Sequence, residues 1–169
     1  MSDNLKFTFK AWAAITAITI GLCFLTQLAA TLLGVELPDQ ANIAAVKELL
    51  SKTFADMQSF KRSMTVIAMV LAIMPVVEEF AFRWFGYYLY RKKAPAWVGY
   101  VRAFAASVLF SAAHYLQQPF PDNAFIALFF FGLAQCWLYR KTGSVRYPII
   151  CHALFNLTNL VLVLAVPQA

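Results

Sequence analysis

Two adjacent glutamates, Glu78 and Glu79, and both of the chain's histidines, His114 and His152, lie in stretches that are otherwise strongly apolar. An ionisable group inside a bilayer costs about 2.5–3.5 kcal/mol on insertion scales, so it needs a partner, a wet cavity or a function. Carboxylates and imidazoles are also the side chains that move protons and ligate metals. Their spacing divides the work. Glu79 and Arg83 are four residues apart, share a helix face and can pair. Glu78 points about 100° away, toward a different neighbour, and stays free for chemistry. His152 and Asn156 put an imidazole and an amide on one face, and Phe110 lies one turn below His114.

The elements that must position these groups are membrane helices. Of 169 residues, 62% are hydrophobic and 13% charged, against about 45–50% and about 25% in an ordinary soluble domain. The apolar residues fall in runs that approach the roughly 20 residues needed to cross a bilayer. Five spans are predicted: Ala11–Val35, Met64–Tyr90, Trp97–Tyr115, Asn123–Tyr139 and Tyr147–Val166. Between the first two, residues 38–62 carry Ile43, Val46, Leu50, Phe54 and Met57 at three- and four-residue steps, with Lys47, Glu48, Lys52 and Asp56 between them. That pattern predicts one amphipathic helix at the bilayer surface or, equally, a soluble connecting helix. The predicted fold class is all-α: a polytopic membrane bundle of about five transmembrane helices plus one interfacial amphipathic helix, in a single domain over residues 1–169.

The formal charge of +6 comes from Lys and Arg that sit where spans end. It therefore reports topology and not a nucleic-acid partner. Basic residues mark the N-terminus and the 91–93 and 140–146 turns, which predicts a multi-pass protein with a cytoplasmic N-terminus and an outside C-terminus. The first run is too long for a cleaved signal peptide and is expected to stay as an anchor. Cys23, Cys136 and Cys151 form no CxxC pair and read as packing residues.

Helix rise tests whether the groups can meet. Glu79 lies 12 residues before Arg91, and His114 lies 12 beyond Arg102, so both sit at a depth of about 18 Å. His152 is six residues past Arg146, only about 9 Å deep, and fits less well. Pro75 precedes the glutamates and can bend their helix; Pro148 precedes His152 and reads equally as a helix-start proline.

The set EEFAFR (78–83), FSAAH (110–114) and HALFN (152–156) resembles the CAAX-protease and bacteriocin-processing family of intramembrane endopeptidases. Its pattern is EExxxR, FxxxH and HxxxN or HxxxD on successive membrane helices. The family-like core covers residues 60–166, and KTGS at 141–144 is also family-like. The resemblance implies hydrolysis of peptide bonds in membrane-associated or short peptide substrates. Glu78 would be general base on a water, His114 would position that water, and His152 and Asn156 would donate to the oxyanion. Glu79 and Arg83 would hold the scaffold. Oxyanion donors in a low-dielectric site are worth about 2.7–4 kcal/mol each.

The family has been read as both metallo- and glutamate-type. Glu78, His114 and His152 can supply three ligands to zinc or another divalent metal, leaving a fourth position for water. The chain has no HExxH pair and no carboxylate evidently placed to orient either histidine, which favours the metal-free reading. The rivals are a non-catalytic immunity or regulatory membrane protein that keeps the motif as scaffold, a proton or cation relay, and bis-histidine haem ligation. Expected partners are the lipid bilayer and a peptide substrate, with no nucleic acid.

Overall fold

Residues 2–38, 41–88, 95–116, 120 and 122–165 are described by the structure, a computed structural model. All their regular elements are helical: α1 (Asp3–Leu32), α2 (Ala41–Ser51), α3 (Met57–Ala68), a π-helical turn (Met69–Ile73), α4 (Met74–Glu79), a second π-helical stretch (Phe80–Tyr88), α5 (Ala96–His114), α6 (Phe125–Thr142) and α7 (Arg146–Ala165). The four pieces from Met57 to Tyr88 follow one another without a break. The described residues thus form five long rods and one short helix, the expected helical membrane bundle. The basic 91–93 turn, most of the 117–122 connector and Val166 lie outside the described residues.

Three stretches, Asp3–Leu32, Met57–Trp84 and Arg146–Ala165, are long and apolar enough to cross a membrane by length and composition. Side-chain placement agrees with a lipid environment. Ile18, Phe24, Leu25, Leu32 and Leu33 are exposed, while Glu79, Arg83 and Gln135 are fully buried. Water would penalise the first set, and lipid would penalise the second if it faced outward. Four of the five threonines in the apolar α1 satisfy themselves: Thr8, Thr19, Thr26 and Thr31 each donate to the carbonyl four residues back, at 2.7–2.9 Å.

Local chemistry sets the helix ends. At the end of α1, Gly34 takes φ 68°, and Val35 N–H reaches Ala30 O at 2.9 Å while Gly34 N–H reaches Thr31 O at 3.2 Å. That is a Schellman closure. Gly143, at φ 70°, ends α6 with its N–H on Tyr139 O at 2.9 Å. This tight stop lets α7 start three residues later, antiparallel to α6.

The 38–62 stretch is not one helix. α2 ends at Ser51, a turn follows, and Asp56 caps α3 by accepting from Ser59 N–H at 2.8 Å. The apolar stripe is interrupted where Phe54 falls on the turn and stands exposed. Buried hydroxyls lock the corner: Thr53 Oγ1 donates to Ser63 Oγ at 2.8 Å, and Ser63 is buried beneath it. An aspartate three residues before a serine thus acts as a helix start, whereas the periodicity treats it as a polar filler.

α5 packs along α6, α1 lies across α6 and α7, and α7 touches α4 and the first π-turn. The tightest approach is at Gly132, where a Cβ would stand 3.0 Å from Ser107 Cβ. Small residues allow this closeness between membrane helices.

Candidate active site

The rod Met57–Tyr88 carries three of the expected site residues: Glu78 and Glu79 lie on α4 between two π-helical stretches, and Arg83 lies in the second of these. Such turns are rare and concentrate at functional sites, because the extra residue per turn re-aims side chains and frees backbone groups. Glu79, fully buried, stands between two partners from different helices. Its Oε2 lies 3.0 Å from Arg83 Nε, one turn on, and its Oε1 lies 2.9 Å from His152 Nδ1 on α7. The Arg83 N–H points off the oxygen, so this pair is held by charge more than by an aligned hydrogen bond.

A carboxylate without a proton only accepts, so His152 Nδ1 carries the hydrogen and Nε2 of the neutral ring is bare. That Nε2 lies 3.7 Å from Glu78 Oε2, too long for a direct hydrogen bond. The two glutamates therefore address the two nitrogens of one imidazole. They differ in access: the Glu78 side chain is 17% exposed and that of Glu79 is 0% exposed. Only Glu78 can meet a molecule entering from outside the protein.

His114 is held differently. Its Nδ1 donates to the Phe110 carbonyl on its own helix at 2.9 Å, which leaves Nε2 as the bare nitrogen of the neutral ring. It joins the cluster through the Phe110 ring, whose centroid is 4.7 Å from that of His114 and 6.0 Å from that of His152. Arg83 Cζ sits 4.5 Å over the same ring, a cation–π contact that offsets part of the cost of burying the guanidinium. Phe131 closes the far side of His152 at 5.0 Å.

Asn156 lies one turn beyond His152 and donates its amide to Val70 O, in the first π-turn, at 2.9 Å. The α7 face with imidazole and amide therefore spans from the glutamates to the preceding turn of the same rod.

Two expectations change. The carboxylate that orients a histidine is present: it is Glu79, acting on His152. And His152, whose predicted depth fits less well, is the histidine that contacts both glutamates. The depth estimate counts residues from Arg146, which is exposed at the start of α7, whereas packing of α7 against α4 brings His152 to Glu79. Pro148 sits in the first turn, as a helix-start proline.

Among the described residues, no three His, Cys, Asp or Glu side chains converge closely enough to hold a metal ion. The chain's own donors thus do not form a closed ligand set from Glu78, His114 and His152. Gln135, which the motifs pass over, is fully buried on α6 and donates to Cys151 Sγ at 3.4 Å, beside His152. Its signal was available: an amide in the middle of an apolar span.

Fold and site together define a class: a helical membrane protein with a buried carboxylate–imidazole–guanidinium centre and one accessible glutamate. A family model, described as type II CAAX prenyl endopeptidase Rce1-like, matches residues 60–158, more than half the chain, and all three motifs fall within the match. The chain belongs to this Rce1-like family. Comparison with curated proteins and with solved structures gave no match.

Proposed function

We propose that this protein is a glutamate-type intramembrane endopeptidase in which Glu78 is the general base. The observation that carries the reading is the placement of Glu78 and Glu79 on opposite nitrogens of His152, with only Glu78 accessible. Glu78 takes a proton from water as the oxygen attacks the peptide carbonyl, and then returns it to the leaving amine, so protons balance over the cycle. His114, whose bare Nε2 can accept from the same water, positions it. His152 is oriented by Glu79 at Nδ1, and its Nε2 donates to the oxyanion when that nitrogen carries a proton. Asn156 has two amide N–H groups; one is engaged by Val70 O, and the other is available to the oxyanion.

The reading takes the Glu78 carboxylate itself as the base and so needs no zinc. Chelation by 1,10-phenanthroline should leave the cleavage rate unchanged; loss of activity restored by zinc would overturn this part. The family description supports a peptide ending in a CAAX-type sequence, prenylated or not, as the substrate, reaching the site from the membrane. On the positive-inside rule the reading takes the N-terminus as cytoplasmic and the C-terminus as outside, which cysteine labelling at Ser2 and Gln168 variants would check.

The deciding experiment uses purified protein in detergent with internally quenched peptides, with and without an S-farnesyl cysteine. Glu78→Gln should retain the size-exclusion profile and lose cleavage by about 10²–10⁴-fold. Unchanged cleavage, or no cleavage by wild type of any peptide in the set, would favour a non-catalytic membrane protein that keeps the motif as scaffold.

A further inference from the structure

The first π-turn leaves one carbonyl with no helical donor. Met74 N–H bonds to Met69 O, five residues back. In an ordinary α-helix that N–H would serve Val70 O. The next donor in the π pattern is residue 75, which is Pro75 and has no N–H. Val70 O is thus deprived twice over, and Asn156 Nδ2 donates to it at 2.9 Å from another helix.

We infer that Asn156 is a positioning residue that clips α7 to the carbonyl released by Pro75, fixing the rotation of the helix carrying Glu78 and Glu79 against His152. The inference builds on the proposed protease reading but can be tested apart from it. Val70 lies eight residues before Glu78, and Asn156 four after His152, so one bond ties the two strips of site residues together at their ends. Half-buried Asn156 has this partner in place without substrate. Pro75 itself is fully buried, so water has little access to take over the role.

The test is a double-mutant cycle with Pro75→Ala and Asn156→Ala, read by thermal unfolding in detergent and by kcat and KM on the quenched peptides. Restoring an N–H at position 75 gives Val70 O a donor on its own helix, whether the π-turn persists or relaxes to α. Asn156→Ala alone should lower the unfolding midpoint and reduce kcat by about 10–100-fold with little change in KM. In the Pro75→Ala background the same substitution should leave the midpoint nearly unchanged and cost less in kcat, the remaining loss being the amide's own part at the oxyanion. Equal midpoint losses in the two backgrounds would overturn the clip, and so would equal kcat losses, since a pure oxyanion donor is indifferent to residue 75. If no peptide is cleaved, the midpoint cycle still decides the clip while the protease reading fails separately.

Discussion

The two histidines of the site sit in opposite kinds of setting. His152 on α7 is held from another helix by Glu79, at 2.9 Å, and packed by Phe131 and Phe110. His114 on α5 is held by a carbonyl of its own helix and one aromatic ring. A side chain fixed from a neighbouring helix reports how the bundle is assembled; one fixed by its own backbone keeps its tautomer even if the bundle shifts. The structure therefore separates an assembly-dependent imidazole from an assembly-independent one, and substitutions around them should separate stability from rate.

The largest expected effect falls on the assembly side. Arg83→Met leaves Glu79 as a buried charge without its cation, at a cost of about 3–5 kcal/mol. It should sharply reduce the folded fraction on size-exclusion in detergent. Adding Glu79→Gln to it should recover much of that fraction, because no uncompensated charge remains; if the double variant is no better than the single, charge burial is not what couples α4 to α7. On the other side, His114→Ala should lower kcat by about 10²–10⁴-fold while barely moving the unfolding midpoint, since its polar contact is internal to α5. A midpoint loss as large as that of His152→Ala would erase the distinction between the two rings.

Gly132→Ala tests the packing beneath both. The added Cβ would meet Ser107 Cβ at 3.0 Å and its Cα at 3.1 Å. With backbone on one side of the clash, overpacking of about 1–3 kcal/mol is expected, read as a lower midpoint. The smallest effect lies away from the site, at the start of α3. The Ser59 N–H holds the Asp56 carboxyl below its ordinary value of 3.8. A depressed carboxylate contributes stability that is present above 3.8 and lost as pH falls through its folded value. Asp56→Asn retains an acceptor without the charge, so wild type should lose slightly more of its midpoint between pH 6 and pH 3 than the variant does.

Much of this was legible in the sequence for a simple reason. Pairs four apart on one helix, such as Glu79 and Arg83, meet by helical geometry alone, and buried charges in apolar runs stand out by their cost. Contacts between helices were less legible. The Glu79–His152 bond depends on how α7 packs against α4, which a residue count from Arg146 does not give. The π-turns leave no periodic trace over so few residues, so the Val70–Asn156 bond was beyond reach, although Pro75 marked the spot. The corner at residues 52–56 was written in Asp56 and Ser59, but an apolar stripe continuing to Phe54 and Met57 masked it.

Phe110 carries no polar atom, yet its ring touches His114, His152, Arg83 and Phe82 at once. Any scan restricted to residues able to ionise or hydrogen-bond would pass it by. A leucine there would leave every ionisable group in the chain and remove the common floor on which they are levelled, so the alignment of the carboxylate–imidazole–guanidinium centre rests in part on a hydrocarbon surface.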